Sequence, residues 1–133
     1  VDSLHEEMLL GPAMSIPRLL GRNGLGFGDI DAWEIHEAFA TQVLVNRQCM
    51  ASASFVRERL GDGLPSGEIP LERLNAWGGS LSLGNPFAAT GVRLLLTAAQ
   101  RLQATGQRYA VVSTCAGGGL GAALLLENPL CAN

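Results

Sequence analysis

Three short stretches of the chain set a polar or nucleophilic side chain beside glycine or at the end of an apolar run: His36-Glu37-Ala38-Phe39, Gly84-Asn85-Pro86 and Cys115-Ala116-Gly117-Gly118-Gly119. Ligands of open α/β sheets bind at such strand ends. An imidazole titrates near neutrality, so His36 can act as a general base or donate to an oxyanion. The plain alternative is a strand-end histidine bonded to a nearby carbonyl. Asn85, just before Pro86, reads equally as a turn residue bonded to its own backbone. Cys115 is either a working thiol or an inert small hydrophobe. The glycines after it favour the first reading: without Cβ atoms the backbone turns sharply, a ligand can approach the amides, and the Gly117 N–H can aim at a developing oxyanion. A tight hairpin would not need three glycines in a row. Glu37 reads as a carboxylate favoured at a helix N-terminus. His5 reads as solvated, and Cys49 and Cys131 as inert. Three cysteines without CxxC spacing argue against a disulfide framework and against a zinc site, so no metal is expected.

Secondary structure must carry these stretches to one place. Residues 32–36, Ala-Trp-Glu-Ile-His, have the aromatic and β-branched content of a strand, which delivers His36 to its C-terminal end. Apolar residues at helical spacing predict one long helix over 38–60, stopped by Gly61. Residues 61–70 read as a surface excursion and 75–86 as a closely packed loop. Val92, Leu95, Leu96, Ala99 and Leu102 form a helical stripe ended by Gly106. Residues 109–113 read as a buried strand with Cys115 just past it, and 121–126 as a second strand antiparallel to the first. Earlier in the chain, Ser3-Leu4-His5-Glu6 has the form of a capping box, and a helix carrying Ile16, Leu19 and Leu20 is expected with Pro17 in its first turn. The order of elements predicts an α/β layer with mixed strands.

Composition narrows the class. With 133 residues, 47% hydrophobic, 16% charged and a net charge of −3, the chain fits one ordinary globular domain. All nine basic residues are arginines and they are scattered, so nothing forms the basic stripe that nucleic acid requires. No run of about 18 apolar residues suggests a membrane span, and the start lacks the features of a signal peptide, so a cytoplasmic location is the default expectation. The first residue is Val1, which raises a processed chain or a fragment as an expectation.

Four stretches, in order, resemble the C-terminal half of a thiolase: Leu10-Gly11-Pro12 followed by Ile16-Pro17; Trp33-Glu34-Ile35-His36-Glu37-Ala38-Phe39-Ala40; the run from Gly78-Gly79-Ser80 through Gly84-Asn85-Pro86-Phe87-Ala88-Ala89-Thr90-Gly91; and Cys115-Ala116-Gly117-Gly118-Gly119-Leu120-Gly121. Together they span nearly the whole chain. His-Glu-Ala-Phe, where most thiolases have Asn-Glu-Ala-Phe, is similar to the subgroup containing the β-subunits of the trifunctional enzymes of fatty-acid oxidation. The resemblance implies a single domain over 1–133, one half of a two-half enzyme layered αβαβα. Each half would hold a mixed five-stranded sheet, here with its first strand missing.

The resemblance also implies a function. The parent enzyme would cleave a 3-ketoacyl-CoA with free CoA, or run the reverse Claisen condensation, through an acyl-cysteine whose nucleophile lies in the absent N-terminal half. Cys115 would move the α-carbon proton. The Gly117 amide would serve the acyl-enzyme oxyanion, and His36 the thioester enolate. Ala38, Phe39, Pro86 and Phe87 would touch pantetheine or the acyl chain. Coenzyme A enters as substrate, with no cofactor. The implied partners are the N-terminal half, a second copy in a homo-oligomer and a hydratase/dehydrogenase subunit. One departure matters: Gly84-Asn85-Pro86 stands where the family has Gly-His-Pro, and Asn can donate a hydrogen bond but cannot take a proton. Three readings stay open: a thiolase in which His36 takes over base duty, a ketoacyl-synthase-like condensing enzyme using His36 and Asn85 as donors, and a catalytically impaired partner subunit. His36, Asn85 and Cys115 are expected to converge on one cleft.

Overall fold

The strand Ala32–Ile35 (β1) decides the layering, because successive side chains of a strand point to opposite faces. Trp33 and Ile35 join Val111 in one apolar cluster with Ile16, Leu20, Phe27, Met50 and Ile69. Ala32 joins Ala110 and Val112 in another with Leu94, Ala98 and Leu102. A sheet that is apolar on both faces needs helices on both, and the computed structural model, which describes residues 8–131, has that arrangement. Helices Gly11–Arg22 (α1), Ala40–Ala51 (α2) and Ala53–Leu60 (α3) belong to the first face. A single turn, Ser80–Leu83 (α4), leads to the long helix Thr90–Thr105 (α5), which covers the second.

The sheet is mixed, in the order β1-β2-β3, where β2 is Tyr109–Ala116 and β3 is Leu120–Glu127. β1 runs parallel to β2, with Ala32 opposite Ala110, and β3 returns antiparallel. The five strands implied by the resemblance are thus three among the described residues, with one parallel bridge, Trp33 to Leu74, beyond β1. The α/β class and the antiparallel pair agree with the sequence reading.

Other expectations need correction. The helix foreseen over 38–60 breaks at Ser52, whose hydroxyl accepts from the Phe55 amide and so caps α3. Residues 61–70 are not purely a surface excursion: Ile69 is fully buried, and the Gly67 amide donates to the Met50 carbonyl. Pro17 lies inside α1, and Pro12 takes the first turn instead. The loop foreseen at 75–86 contains α4. Cys115 lies within β2 and not past it. The capping box at Ser3 and the solvated reading of His5 fall outside the described residues.

Two contacts fix helices to the sheet. α1 meets β3 backbone to backbone: a Cβ on Gly11 would lie 2.7 Å from the Gly121 Cα, so neither position tolerates a side chain. On the opposite face the fully buried Glu34 accepts from Arg101 Nη1 of α5 at 2.5 Å, while Arg101 Nη2 donates to the Arg73 carbonyl. Burial raises the Glu34 pKa, and the Arg101 hydrogen bond and charge oppose that rise.

Removing one partner of such a pair leaves an uncompensated buried charge, a loss of about 3–5 kcal/mol. Arg101→Met is therefore expected to lower unfolding free energy by that order in urea titrations at neutral pH. A carboxyl whose folded pKa is raised is tolerated best when protonated, so the loss should shrink as the pH is lowered toward and below the ordinary glutamate range. A pH-independent loss would show that Glu34 does not carry the effect.

Candidate active site

Because β1 and β2 are parallel, their C-terminal ends emerge at the same edge of the sheet. His36 follows β1, its amide still donating to the Ser113 carbonyl at 2.8 Å, and Cys115 stands near the end of β2. The β2–β3 turn comes next. Gly118 and Gly119 have φ of 86° and 78°, which residues with a Cβ rarely adopt. Gly117 is different: its φ makes no such demand, and a Cβ added there would meet nothing within 4 Å. The hairpin's backbone accounts for two of the three glycines, and the third is bound by neither conformation nor packing.

The third stretch arrives by way of Asn75. This residue, at φ 45°, uses its side chain as a peptide group: Oδ1 accepts from the Ile35 amide and Nδ2 donates to the Ile35 carbonyl and to Glu37 Oε1 at 2.7 Å. Glu37 Oε2 accepts from the Leu81 amide at the start of α4. Glu37 thus serves a helix N-terminus, but that of α4 and not of the helix following it in sequence. A Cβ at Gly79 would overlap the Glu37 carboxylate. The clamp sets residues 84–91 over the strand ends.

There a cavity of about 580 Å³ is lined by His36, Ala38, Phe39, Asn85, Phe87, Cys115 and Gly117, with Leu9, Ala88, Thr90, Gly91, Thr114 and Ala116. Of the residues to which the resemblance gives a catalytic or substrate-contact role, all line it except Pro86, whose carbonyl accepts from the Ala89 and Thr90 amides at the entry to α5. The Thr90 hydroxyl donates to Asn85 Oδ1 at 2.7 Å, leaving the Asn85 amide N–H groups as that side chain's donors. Phe87 and Phe39, 90% and 64% exposed, stand at the rim. Ala88 holds φ 63°, an uncommon conformation for a residue with a Cβ.

Burial governs the protonation of the two reactive groups. It lowers the His36 pKa, with the Arg93 charge adding to the effect and Glu37 opposing it. It raises the Cys115 pKa, opposed by a backbone hydrogen bond. At neutral pH the imidazole is uncharged and the thiol protonated. The cavity therefore offers a proton on sulfur, hydrogen-bond donors and apolar walls, without a fixed charge on either reactive group. Among the described residues no group of histidine, cysteine or acidic side chains is placed to hold a metal ion, and no helix is long and apolar enough to cross a membrane.

The sequence reading passed over two neighbours of His36. Ser80 Oγ lies 2.9 Å from His36 Nδ1, and Arg93 Nη2 donates to the same oxygen at 3.0 Å. Ser80 was visible only as the residue after two glycines, and Arg93 only as a charge on the face of a helix. Cys49 packs at the margin of the α1-side cluster, and the Cys131 thiol donates to the Gly106 carbonyl, so neither joins the cavity.

A raised thiol pKa has a kinetic signature, since only the thiolate alkylates. Labelling of Cys115 by iodoacetamide, followed by peptide mass spectrometry, should reach half its maximal rate at a pH above that of an unperturbed cysteine. A half-maximum at or below the ordinary thiol range would contradict the buried, neutral thiol.

The described geometry has counterparts among known proteins. Residues 1–128 match the family model for the thiolase C-terminal domain. The chain is 48% identical over 122 residues to the mitochondrial trifunctional enzyme subunit beta of Mus musculus, covering 92% of this chain and 26% of that protein. The identity is also 48% to a probable 3-ketoacyl-CoA thiolase of Caenorhabditis elegans, with 92% and 27% covered. The crystal structure of human mitochondrial 3-ketoacyl-CoA thiolase superposes with a TM-score of 0.78 at 29% identity, over 97% of this chain and 28% of that one. The chain thus spans about a quarter of the length of the relatives it matches.

Proposed function

The chain belongs to the thiolase family, as a C-terminal domain, and from that premise we propose that it supplies the proton-transfer and oxyanion half of an acyltransferase acting on acyl-CoA thioesters. The observation that carries this reading is the single cavity in which His36, Asn85, Cys115 and Gly117 meet. Cleavage of a 3-ketoacyl-CoA leaves a carbanion on the α-carbon of the departing acetyl thioester. Such a carbanion is sustained only while its charge is delocalised onto an oxygen held by preorganised donors. His36 and Asn85 are the donors on one side of the cavity, and the Cys115 thiol gives the α-carbon its proton. In the condensing direction the Cys115 thiolate removes that proton. The Gly117 amide, free of any Cβ, serves the tetrahedral oxyanion of the acyl-enzyme.

The nucleophile that carries the acyl group belongs to the N-terminal half, which is the partner proposed here. Two exposed apolar regions suit such packing. One comprises Phe39 and Phe87 at the cavity rim, with Leu81 and Leu83 of α4 exposed as well. The other is the sheet face beyond α5: Leu124 pairs with Val112 on that face and Leu120 shares its side, while Val92 and Leu96 of α5 are exposed as well. Exposed apolar patches on this scale mark interaction surfaces. By its similarity to trifunctional enzyme β-subunits, the assembled protein is also proposed to associate with a hydratase/dehydrogenase subunit and with a second copy of itself.

Two measurements test the reading. The 133-residue chain alone should release no acyl-CoA product from a 3-ketoacyl-CoA in the presence of CoA, and cleavage by the isolated chain would overturn the division of labour. In the protein completed by an N-terminal half, Cys115→Ser should reduce turnover by about 10²–10⁴-fold, the range for loss of a general acid–base group. An undiminished rate would remove Cys115 from proton transfer.

A further inference from the structure

We propose that Ser80 and Arg93 are positioning residues that lock His36 in the tautomer carrying its proton on Nε2, so that the imidazole meets the cavity as a hydrogen-bond donor and not as a base. The inference follows from counting hydrogens at one oxygen. A guanidinium has donors only, so the 3.0 Å contact from Arg93 Nη2 uses Ser80 Oγ as an acceptor. The second neighbour of that oxygen is His36 Nδ1, at 2.9 Å. If Nδ1 bore the ring proton, Oγ would face two donors, while among the described residues its own hydrogen would have no acceptor within hydrogen-bond distance. If Nδ1 is the acceptor, Arg93 Nη2 gives to Ser80, Ser80 gives to His36, and both hydrogens at that oxygen have a place. The neutral ring must then hold its proton on Nε2.

The surroundings make the relay rigid. Ser80 is buried at the first position of α4, directly after Gly79, and α4 is held through its Leu81 amide by Glu37. Arg93 extends from the first turn of α5. The charged groups facing the imidazole are Arg93 and Glu37. A doubly protonated ring would direct an Nδ1–H at an oxygen that already accepts from Arg93, and burial together with the Arg93 charge also lowers the His36 pKa. With Nδ1 engaged and Nε2 protonated, His36 cannot take a proton from a nucleophile in the cavity. His36 and Asn85 become two neutral donors, and the reading in which His36 replaces the family's missing histidine as base is set aside. What the donor serves rests on the acyl-transfer reading above; the tautomer itself does not.

Nitrogen-15 NMR of the full 133-residue chain tests this directly, because its histidines are two, His5 and His36, and a His5→Gln variant assigns the remaining signal. The expected spectrum at neutral pH has a protonated, pyrrole-type Nε2 and an unprotonated, hydrogen-bonded Nδ1 for His36. Ser80→Asp, which offers Nδ1 an acceptor without a hydrogen to give, should invert the pattern and place the proton on Nδ1. Ser80→Thr should keep the original pattern. A wild-type spectrum with the proton on Nδ1 overturns the proposal without any variant, and so does a folded Ser80→Asp protein whose pattern is unchanged. No substrate is present, so a failure of the acyl-transfer reading leaves these outcomes intact, and a wrong tautomer leaves that reading standing.

Discussion

The arrangement of the cavity depends on how the Asn75 side chain completes the end of β1. A strand that ends next to a ligand site has a peptide whose N–H and C=O need partners, and buried groups of this kind are costly to leave unpaired. Asn75 pairs with both groups of Ile35, and its own amide donates to the Trp33 carbonyl. The same side chain holds Glu37, and Glu37 holds α4. One amide and one carboxylate thus tie the strand end, the short helix and, through the entry of α5, the Asn85 loop. Asparagine suits the position doubly, since among residues with a side chain it adopts the left-handed backbone region comparatively well.

How much of this was legible in the sequence depends on the range of the interaction concerned. Periodicity is local, so the strand at residue 32, the helix stopped by Gly106 and the final antiparallel pair could be read from neighbouring residues. The break at Ser52 is local as well, but a serine among alanines is a weak signal beside an apolar pattern that continues through it. His36, Asn85 and Cys115 stood out because polar groups at strand ends and beside glycines are unusual. Ser80, Arg93 and Asn75 did not, since their roles exist only once residues distant in sequence are brought together. Pro86 was drawn toward the site by its neighbours in sequence, whereas its work is to begin a helix.

The glycine triplet shows how one motif can contain two kinds of constraint. Gly118 and Gly119 answer to backbone conformation and would be required in a hairpin of this shape whatever its function. Gly117 answers to neither conformation nor packing, since a Cβ there would meet nothing within 4 Å, and it lines the cavity. Ala88 presents the converse case, a residue with a Cβ placed where glycine would be at ease, on the wall of the same cavity. Strain of this kind collects at functional sites when the surrounding structure over-determines the backbone. Here the Thr90 hydroxyl closes the segment back onto Asn85 and the Pro86 carbonyl.

Arg93 gives the core a line of communication to the reacting groups. Its charge stabilises the buried Glu34 carboxylate, while its Nη2 feeds the Ser80 oxygen, and its Nε and Nη1 are buried without a protein partner among the described residues. One guanidinium thus serves both the interior carboxylate, by its charge, and the hydroxyl beside the imidazole, by a hydrogen bond. Substitutions at Glu34 or Arg101, neither of which lines the cavity, would change the electrostatic surroundings of the guanidinium that holds Ser80 against the imidazole. Selection on the chemistry of the cavity would then act on interior charges that no ligand ever touches.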